Sequence, residues 1–322
     1  MLFSFVSFFD VLNLSRKFDI IHTTTYNASL PAFFSSKINR KPVIITFHEV
    51  LGKLWFNLPR MNWFKAKILF YTEQLILKKN FDRIVCVSNY TKNSLRLFGV
   101  KDEKLKTIYN FSDEELFNPE DKNVILEADK IKSSLLKKYF LKENTKIFFS
   151  YGRPGLTKGF EHLIKGFKLF LEEQKNFDVR LLLILSKSPK EGYDYLMNLI
   201  RKEGLGNNII IENEVKREKI PSYLLLSDFV IIPSITEGFG FTTVEASLMN
   251  KKKIVTNICS IPEVVFGKTI FIEPSSPEEI KEGMIKALKD EFLDIEKKDF
   301  SKQKFIEEYE KEYKKLLLKK LK

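Results

Sequence analysis

Ten short, strongly apolar runs recur along this chain, and helical patterns or turns fill the gaps between them. That alternation restricts the fold more than any other feature. Four runs come early: "FDIIHTT" (18–24), "PVIITFH" (42–48), "DRIVCVS" (82–88) and "KLKTIYN" (104–110). Six follow: "IFFSYG" (147–152), "VRLLLILS" (179–186), "NIIIEN" (208–213), "DFVIIPS" (228–234), "KKIVTN" (252–257) and "TIFIEP" (269–274). Strands apolar on both faces must be covered on both faces, and helical crossovers do this in parallel sheets. The pattern predicts an α/β fold with ligands at the carboxyl ends of the strands. The helices show their own logic. "FEHLIKGFKLFLEEQ" is apolar at 160, 163, 164, 167, 170 and 171, a helical period. Ser276, Pro277 and Glu279 form a capping box at the start of another.

The polar, proline-containing segment "EELFNPEDKNVILEADKIK" (114–132) breaks the rhythm. It divides the chain into a first domain, 1–120, and a second, 121–299, with a closing helix at 300–322 that packs on the second block or crosses back to the first. A length of 322 residues suits two domains. No stretch resembles a spanning helix of about 20 apolar residues. "MLFSFVSFFDVLNLS" lacks a basic start and holds Asp10, so it reads as a buried helix, not a secretion signal. Cys86 and Cys259 match no disulfide or metal spacing, and a reducing cytoplasm is the expectation. The net charge of +12 suits an anionic partner: nucleic acid, an acidic membrane face, or a phosphorylated small molecule. No RNA- or DNA-reading motif is present, so nucleic acid is not expected.

Two segments carry candidate chemistry. In "SYGRPGLTKGFEHL" a strand ends at Gly152, a turn presents Arg153 and Lys158, and a helix follows Gly159. A helix start favours an anion, and the two cations would add a planar fork and a point charge. The spacing is neither a Walker loop nor GxGxxG. In "PSITEGFGFTTVEASLMN" a strand ends, Gly238 and Gly240 open the backbone to close approach, and a helix starts near Phe241. Glu237 precedes that helix and Glu245 lies about one turn into it, on the face shared with Phe241 and Thr242. Carboxylates so placed can accept hydrogen bonds from sugar hydroxyls. Each segment also has a plainer reading, as solvated turn charges or as a dipole-complementing glutamate. Jointly they describe a receptor for a nucleotide diphosphate joined to a sugar.

The order of "YGRPGLTKGFEHLIKGF", "SDFVIIPSITEGFGFTTVEA" and "SIPEVV" resembles the group 1 retaining glycosyltransferases, and Glu237 to Glu245 matches their E-x7-E signature. The resemblance implies the GT-B fold: two Rossmann-like domains facing each other across a cleft. It implies that Arg153 and Lys158 contact the donor diphosphate. Glu237 and the main chain of Gly238, Phe239 and Gly240, with Phe241 and Thr242 beside them, would meet the donor sugar, and Glu245 the ribose. "VIITFHEV" is similar to a family strand ending in a histidine, which implies that His48 faces the donor sugar; His22 would line the acceptor side. No role is expected for His162. The implied reaction is transfer of a hexose from a nucleotide sugar to a glycan or lipid-linked acceptor, with retention. No Asp-x-Asp pair occurs, so no metal and no other cofactor is expected.

The usual first strand and glycine-rich loop are not found, so the first domain is expected to be incomplete. A partner-dependent, nucleotide-sugar-binding subunit is therefore the alternative, with a protein partner completing that domain. Cys259 and Ser260 stand where relatives have a glycine pair, and Asn250 where a glycine precedes the strand. "KLWFNLPRMNWFKAKILFYTEQLILKK" (53–79) is basic and aromatic. It is expected to pack on the first sheet with a solvated basic edge; the alternative is a face for an anionic membrane.

Overall fold

A computed structural model of the chain describes the backbone at residues 2–213 and 215–320 and side chains at 6–212 and 215–319. The chain divides into two compact units, residues 1–111 with 300–322, and residues 112–299. In the first unit, α1 (Leu2–Leu14) precedes β1 (Ile21–Thr24), α2 (Ser29–Ile38), β2 (Val43–Phe47), α3 (Trp63–Leu77), β3 (Arg83–Cys86), α4 (Asn89–Leu97) and β4 (Leu105–Thr107). The strands pair in chain order, β1-β2-β3-β4, all parallel. One face buries Val43, Ile45, Ile84 and Cys86 with Phe33, Ile76 and Leu95 of the helices. Ile44, Val85 and Ile108 point the other way and pack on Tyr309 and Leu316 of the closing helix. That helix belongs to the first unit, and buried Glu312 on it pairs with Arg83 of β3 at 2.8 Å.

The second unit runs α5 (Lys122–Lys138), β5 (Lys146–Gly152), α6 (Phe160–Glu173), β6 (Val179–Leu185), α7 (Lys190–Lys202), β7 (Ile209–Asn213), α8 (Ile220–Leu226), β8 (Phe229–Ile232), α9 (Phe241–Leu248), β9 (Lys252–Thr256), α10 (Ile261–Val264), β10 (Gly267–Ile272), α11 (Pro277–Leu288) and β11 (Leu293–Ile295). The closing helix is α12 (Lys302–Lys320). The sheet order is β11-β10-β9-β8-β5-β6-β7, parallel except for β11 on β10. Phe148, Leu181, Leu183 and Ile254 pack on α6, α7 and α11; Phe149, Leu182, Val230 and Val255 pack on the opposite side, where α5, α8 and α9 lie.

The strand order reverses between β5 and β8. Chains leave these neighbours toward opposite sides of the sheet, so a crevice opens at their carboxyl ends. The two segments with candidate chemistry start from β5 and β8.

Two expectations about the ends of elements differ from the structure. Segment 114–132 is not merely a linker, because α5 starts within it, capped by the Asp121 carboxylate on the N–H groups of Asn123 and Val124. The described part of α1 is not buried: Val6, Phe9 and Leu14 are each more than half exposed, and its main neighbour is the short helix α2.

Candidate donor site

The loop after β5 and the loop after β8 are joined backbone to backbone. Ile235 N–H donates to the Thr157 carbonyl at 2.7 Å. Gly159, which caps α6, has φ +67, and a Cβ there would sit 1.9 Å from the Pro233 carbonyl oxygen. Only a residue without a side chain lets the two loops approach so closely. The contact carries the start of α6, with its unsatisfied first N–H groups, to the loop that leads into α9.

Side chains complete the join. Lys158 Nζ donates to Glu237 Oε1 at 2.5 Å, and Ser234 Oγ donates to the same oxygen at 2.9 Å. Glu237 Oε2 has no hydrogen-bond partner among the described residues, which leaves it as an acceptor for a ligand hydroxyl. The Glu237 loop is braced from behind, because Ser260 Oγ donates to the Glu237 carbonyl at 3.0 Å and Thr236 Oγ1 lies 3.5 Å from Cys259 Sγ. Cys259 adopts φ +54 and Asn250 φ +53, so both hold the left-handed conformation a glycine would take. Ser260 and Cys259 thus hold the Glu237 loop through side chains that a glycine pair would lack.

Gly240 caps α9 with φ +90, and Phe239 is buried against Phe241, the rings 5.1 Å apart. Glu245, one turn into α9, is 2% exposed and held at both oxygens. Tyr151 OH donates to Oε2 at 2.5 Å, and Arg217 Nη2 donates to Oε1 at 2.7 Å. Burial raises the Glu245 pKa, opposed by the Tyr151 hydrogen bond and the Arg217 charge. Burial also drives the Tyr151 phenol well above its ordinary range, so it stays a neutral donor. Arg217 keeps its place by lying over the Phe117 ring at 5.3 Å. One crevice is lined by Tyr151, Lys158, Ser234 and Thr242, and so borders both the Glu237 and the Glu245 clusters. Arg153 is exposed, without a side-chain partner among the described residues. Tyr151, Arg217 and Ser234 are not among the candidate residues that the sequence singles out, and Ser260 is singled out there only as a replaced glycine. Nothing in "EVKREKIP" (214–221) forms a motif, and only tertiary contact brings Arg217 to Glu245.

His48 and His22 lie in the first unit. His48 follows β2 directly; the residue is open to solvent on one side, and partial desolvation of its ring lowers its pKa. His22 is fully engaged, Nδ1 with Tyr313 OH at 2.7 Å and Nε2 with Thr46 Oγ1 at 2.8 Å. Burial, then the nearby His48, lowers its pKa too. Both histidines line a cavity of about 610 Å³ with Asn110, Phe305, Tyr309 and Tyr313. His162 sits on α6 beside Glu161 at 3.5 Å.

Two Rossmann-like sheets, the second with a cation–carboxylate rim at its switch point, define an α/β protein of the GT-B class. Residues 132–307 match the family described as glycosyl transferases group 1, and residues 2–116 match glycosyltransferase family 4. The chain belongs to the group 1 glycosyl transferases.

An uncharacterised glycosyltransferase of Methanocaldococcus jannaschii is 22% identical over 280 residues, 85% of this chain and 67% of the relative. The Escherichia coli UDP-Gal:α-D-GlcNAc-diphosphoundecaprenol α-1,3-galactosyltransferase is 24% identical over 305 residues, 92% and 73% of the two chains. The crystal structure of Anabaena HepE in complex with UDP-glucose superposes with a TM-score of 0.72 at 19% identity, over 88% of this chain and 72% of that one. Among the curated relatives, the matched part ranges from 52% to 76% of the relative's length in four cases.

Proposed function

We propose that the chain transfers a hexose from a nucleotide-diphosphate sugar to a glycan or lipid-linked acceptor, with retention of anomeric configuration and without a metal. The observation that carries this is the rim itself: Lys158 and Tyr151 line one small crevice at the β5–β8 switch point, and behind them Lys158 is paired with Glu237 and Tyr151 with Glu245. In the reaction, Arg153, Lys158 and the start of α6 offset the negative charge that grows on the leaving diphosphate. That set of cations does the work a bridging metal would do. Glu237, through Oε2, and the main chain of Gly238, Phe239 and Gly240 hold the sugar, with Phe241 and Thr242 at the helix start. Glu245, buried and already held by Tyr151 and Arg217, is assigned to the ribose hydroxyls, which must reach its oxygens beside those two donors. His48 faces the donor sugar and His22 belongs to the acceptor side. The acceptor oxygen bonds to the anomeric carbon from the side the diphosphate leaves, and the departing phosphate takes the acceptor proton. The Escherichia coli relative, named for a diphosphoundecaprenol-linked sugar, supports a lipid-linked acceptor. We place the reaction in the cytoplasm, on the inner face of an anionic membrane; among the described residues no helix is long and apolar enough to cross one.

A thermal-shift panel of UDP, GDP and ADP sugars, followed by nucleotide release with candidate acceptors, tests the proposal. One donor class is expected to raise the midpoint by several degrees, and to release nucleotide only when an acceptor is present. No shift with any donor would sink it. Shift without release would favour the second reading, a binding subunit that needs a protein partner. One observation favours that reading: β1 stands at the edge of its sheet with no strand on its outer side among the described residues.

Glu245 makes a pH prediction. Arg217 lowers its pKa against the effect of burial, so Arg217→Met raises it further. Hydroxyl binding needs the carboxylate, and donor affinity is therefore lost at a higher pH as pH falls. Titrating donor Kd between pH 5 and 8 should show the variant's acid limb displaced to higher pH. Coincident profiles would remove Arg217 from the site.

A further inference from the structure

Helix α3 is apolar on its outer side as well as its inner one. It buries Ala66, Glu73 and Ile76. Phe64, Ile68, Tyr71 and Leu75 are 66%, 38%, 59% and 45% exposed. Their spacing of four, three and four residues places them within about 60° of arc at 3.6 residues per turn. Lys67 and Lys78 flank this stripe on one side and Lys65 on the other. Trp63, 64% exposed, carries Lys67 Nζ 5.0 Å over its ring.

The charge on this face is one-sided. Residues 53–79 hold six lysines and arginines and a single acid, Glu73. Glu73 is wholly buried and faces inward, accepting from Tyr26 OH at 2.8 Å, Leu51 N–H at 3.0 Å and Gly52 N–H at 2.6 Å. These bonds anchor the inner side of α3 and remove the one local counter-charge from the surface. An outward stripe of aromatic and branched side chains between lysines is the arrangement of a helix lying in a membrane interface. The rings enter the acyl boundary while the lysine stems snorkel to lipid phosphates. A second copy seated on this face would set lysine against lysine, so charge argues for an anionic sheet of lipid as the occupant.

We propose that α3 is the docking surface of this chain for an anionic bilayer, its Phe64–Ile68–Tyr71–Leu75 stripe inserted and its lysines at the headgroup phosphates. The inference deepens the proposed function by naming where the membrane meets the chain, and rests on that reading only for the reason a lipid-borne acceptor would be at hand.

Co-sedimentation of the full chain with extruded vesicles tests it. Binding is expected to vesicles of phosphatidylcholine with phosphatidylglycerol, to weaken with salt, and to be slight with phosphatidylcholine alone. Ile68→Glu with Tyr71→Glu should weaken binding at least about tenfold, and Lys65→Glu with Lys67→Glu about a hundredfold. These positions are exposed, so both variants should keep the parent's melting midpoint and nucleotide-sugar binding. Equal binding to both lipids, or variants that bind like the parent, would overturn the proposal. So would a concentration-dependent dimer that Ile68→Glu dissolves, which would assign the face to a second copy. Vesicle binding in a chain that takes no nucleotide sugar would end the transferase reading and leave this surface standing.

Discussion

Glu237→Ala is expected to lower kcat for sugar transfer by at least about a hundredfold. The carboxylate is bound on one oxygen by Lys158 and Ser234, and offers the other to a ligand. Its removal acts twice. The sugar loses an acceptor held rigidly by a braced loop, and Lys158 loses the partner that fixes its ammonium beside the crevice. Preorganised groups act most strongly on charge that develops during reaction, so kcat should fall more than donor affinity. Folding should suffer less than activity, because Lys158 keeps 27% of its side chain exposed and can be solvated. Glu237→Gln separates the two contributions. It retains a hydroxyl acceptor but not the ion pair, and its kcat should lie between parent and Ala variant. Steady-state kinetics with the donor found in the thermal-shift panel, beside a melting curve for each variant, measures both. Full activity in the Ala variant would remove Glu237 from the reaction.

The strands of both sheets were legible because parallel strands buried on both faces read as apolar runs. What escaped was set by exposure or by distance along the chain. β11 is three residues long, mostly exposed and antiparallel, so "LDI" carries no run. Helix α5 buries Ala128 and Leu135 and half-buries Val124 and Ile131, a spacing of four, three and four that its surrounding lysines and acids conceal. Lys253, within a run of three lysines, looks like surface. The pleat of β9 instead turns it inward, where it donates to the Phe266 carbonyl at 2.7 Å and burial lowers its pKa to about 7. For α3 the order of surprise is reversed: aromatic residues expected to pack on the sheet face outward. At the site, Glu237, Glu245 and Lys158 announce themselves through glycines and turns at strand ends. Tyr151 and Arg217 do not, since their meaning lies in a partner 94 and 28 residues away.

The close approach of the two rim loops makes Gly159→Ala the most damaging small substitution. Two costs add. Alanine at φ +67 carries a backbone cost of about 1–2 kcal/mol. Its Cβ would also lie 1.9 Å from the Pro233 carbonyl oxygen and 2.9 Å from the carbonyl carbon, so the loops must part. Neither atom is the end of a flexible side chain, and backbone displacement in a packed region costs a further 1–3 kcal/mol. A total of about 3 kcal/mol corresponds to a fall of about 6–12 °C in Tm for a unit of this size. Separation of the loops breaks the bond from Ile235 N–H to Thr157 and draws Lys158 from Glu237, so donor binding should be lost with the stability. Gly204→Ala is the matched control. It has φ +72, but nothing lies within 4 Å of an added Cβ. Its Tm should fall only by the backbone term, about 2–8 °C, and its donor affinity should equal the parent's. If the two variants melted together and both bound donor normally, the loop contact would not be what assembles the rim.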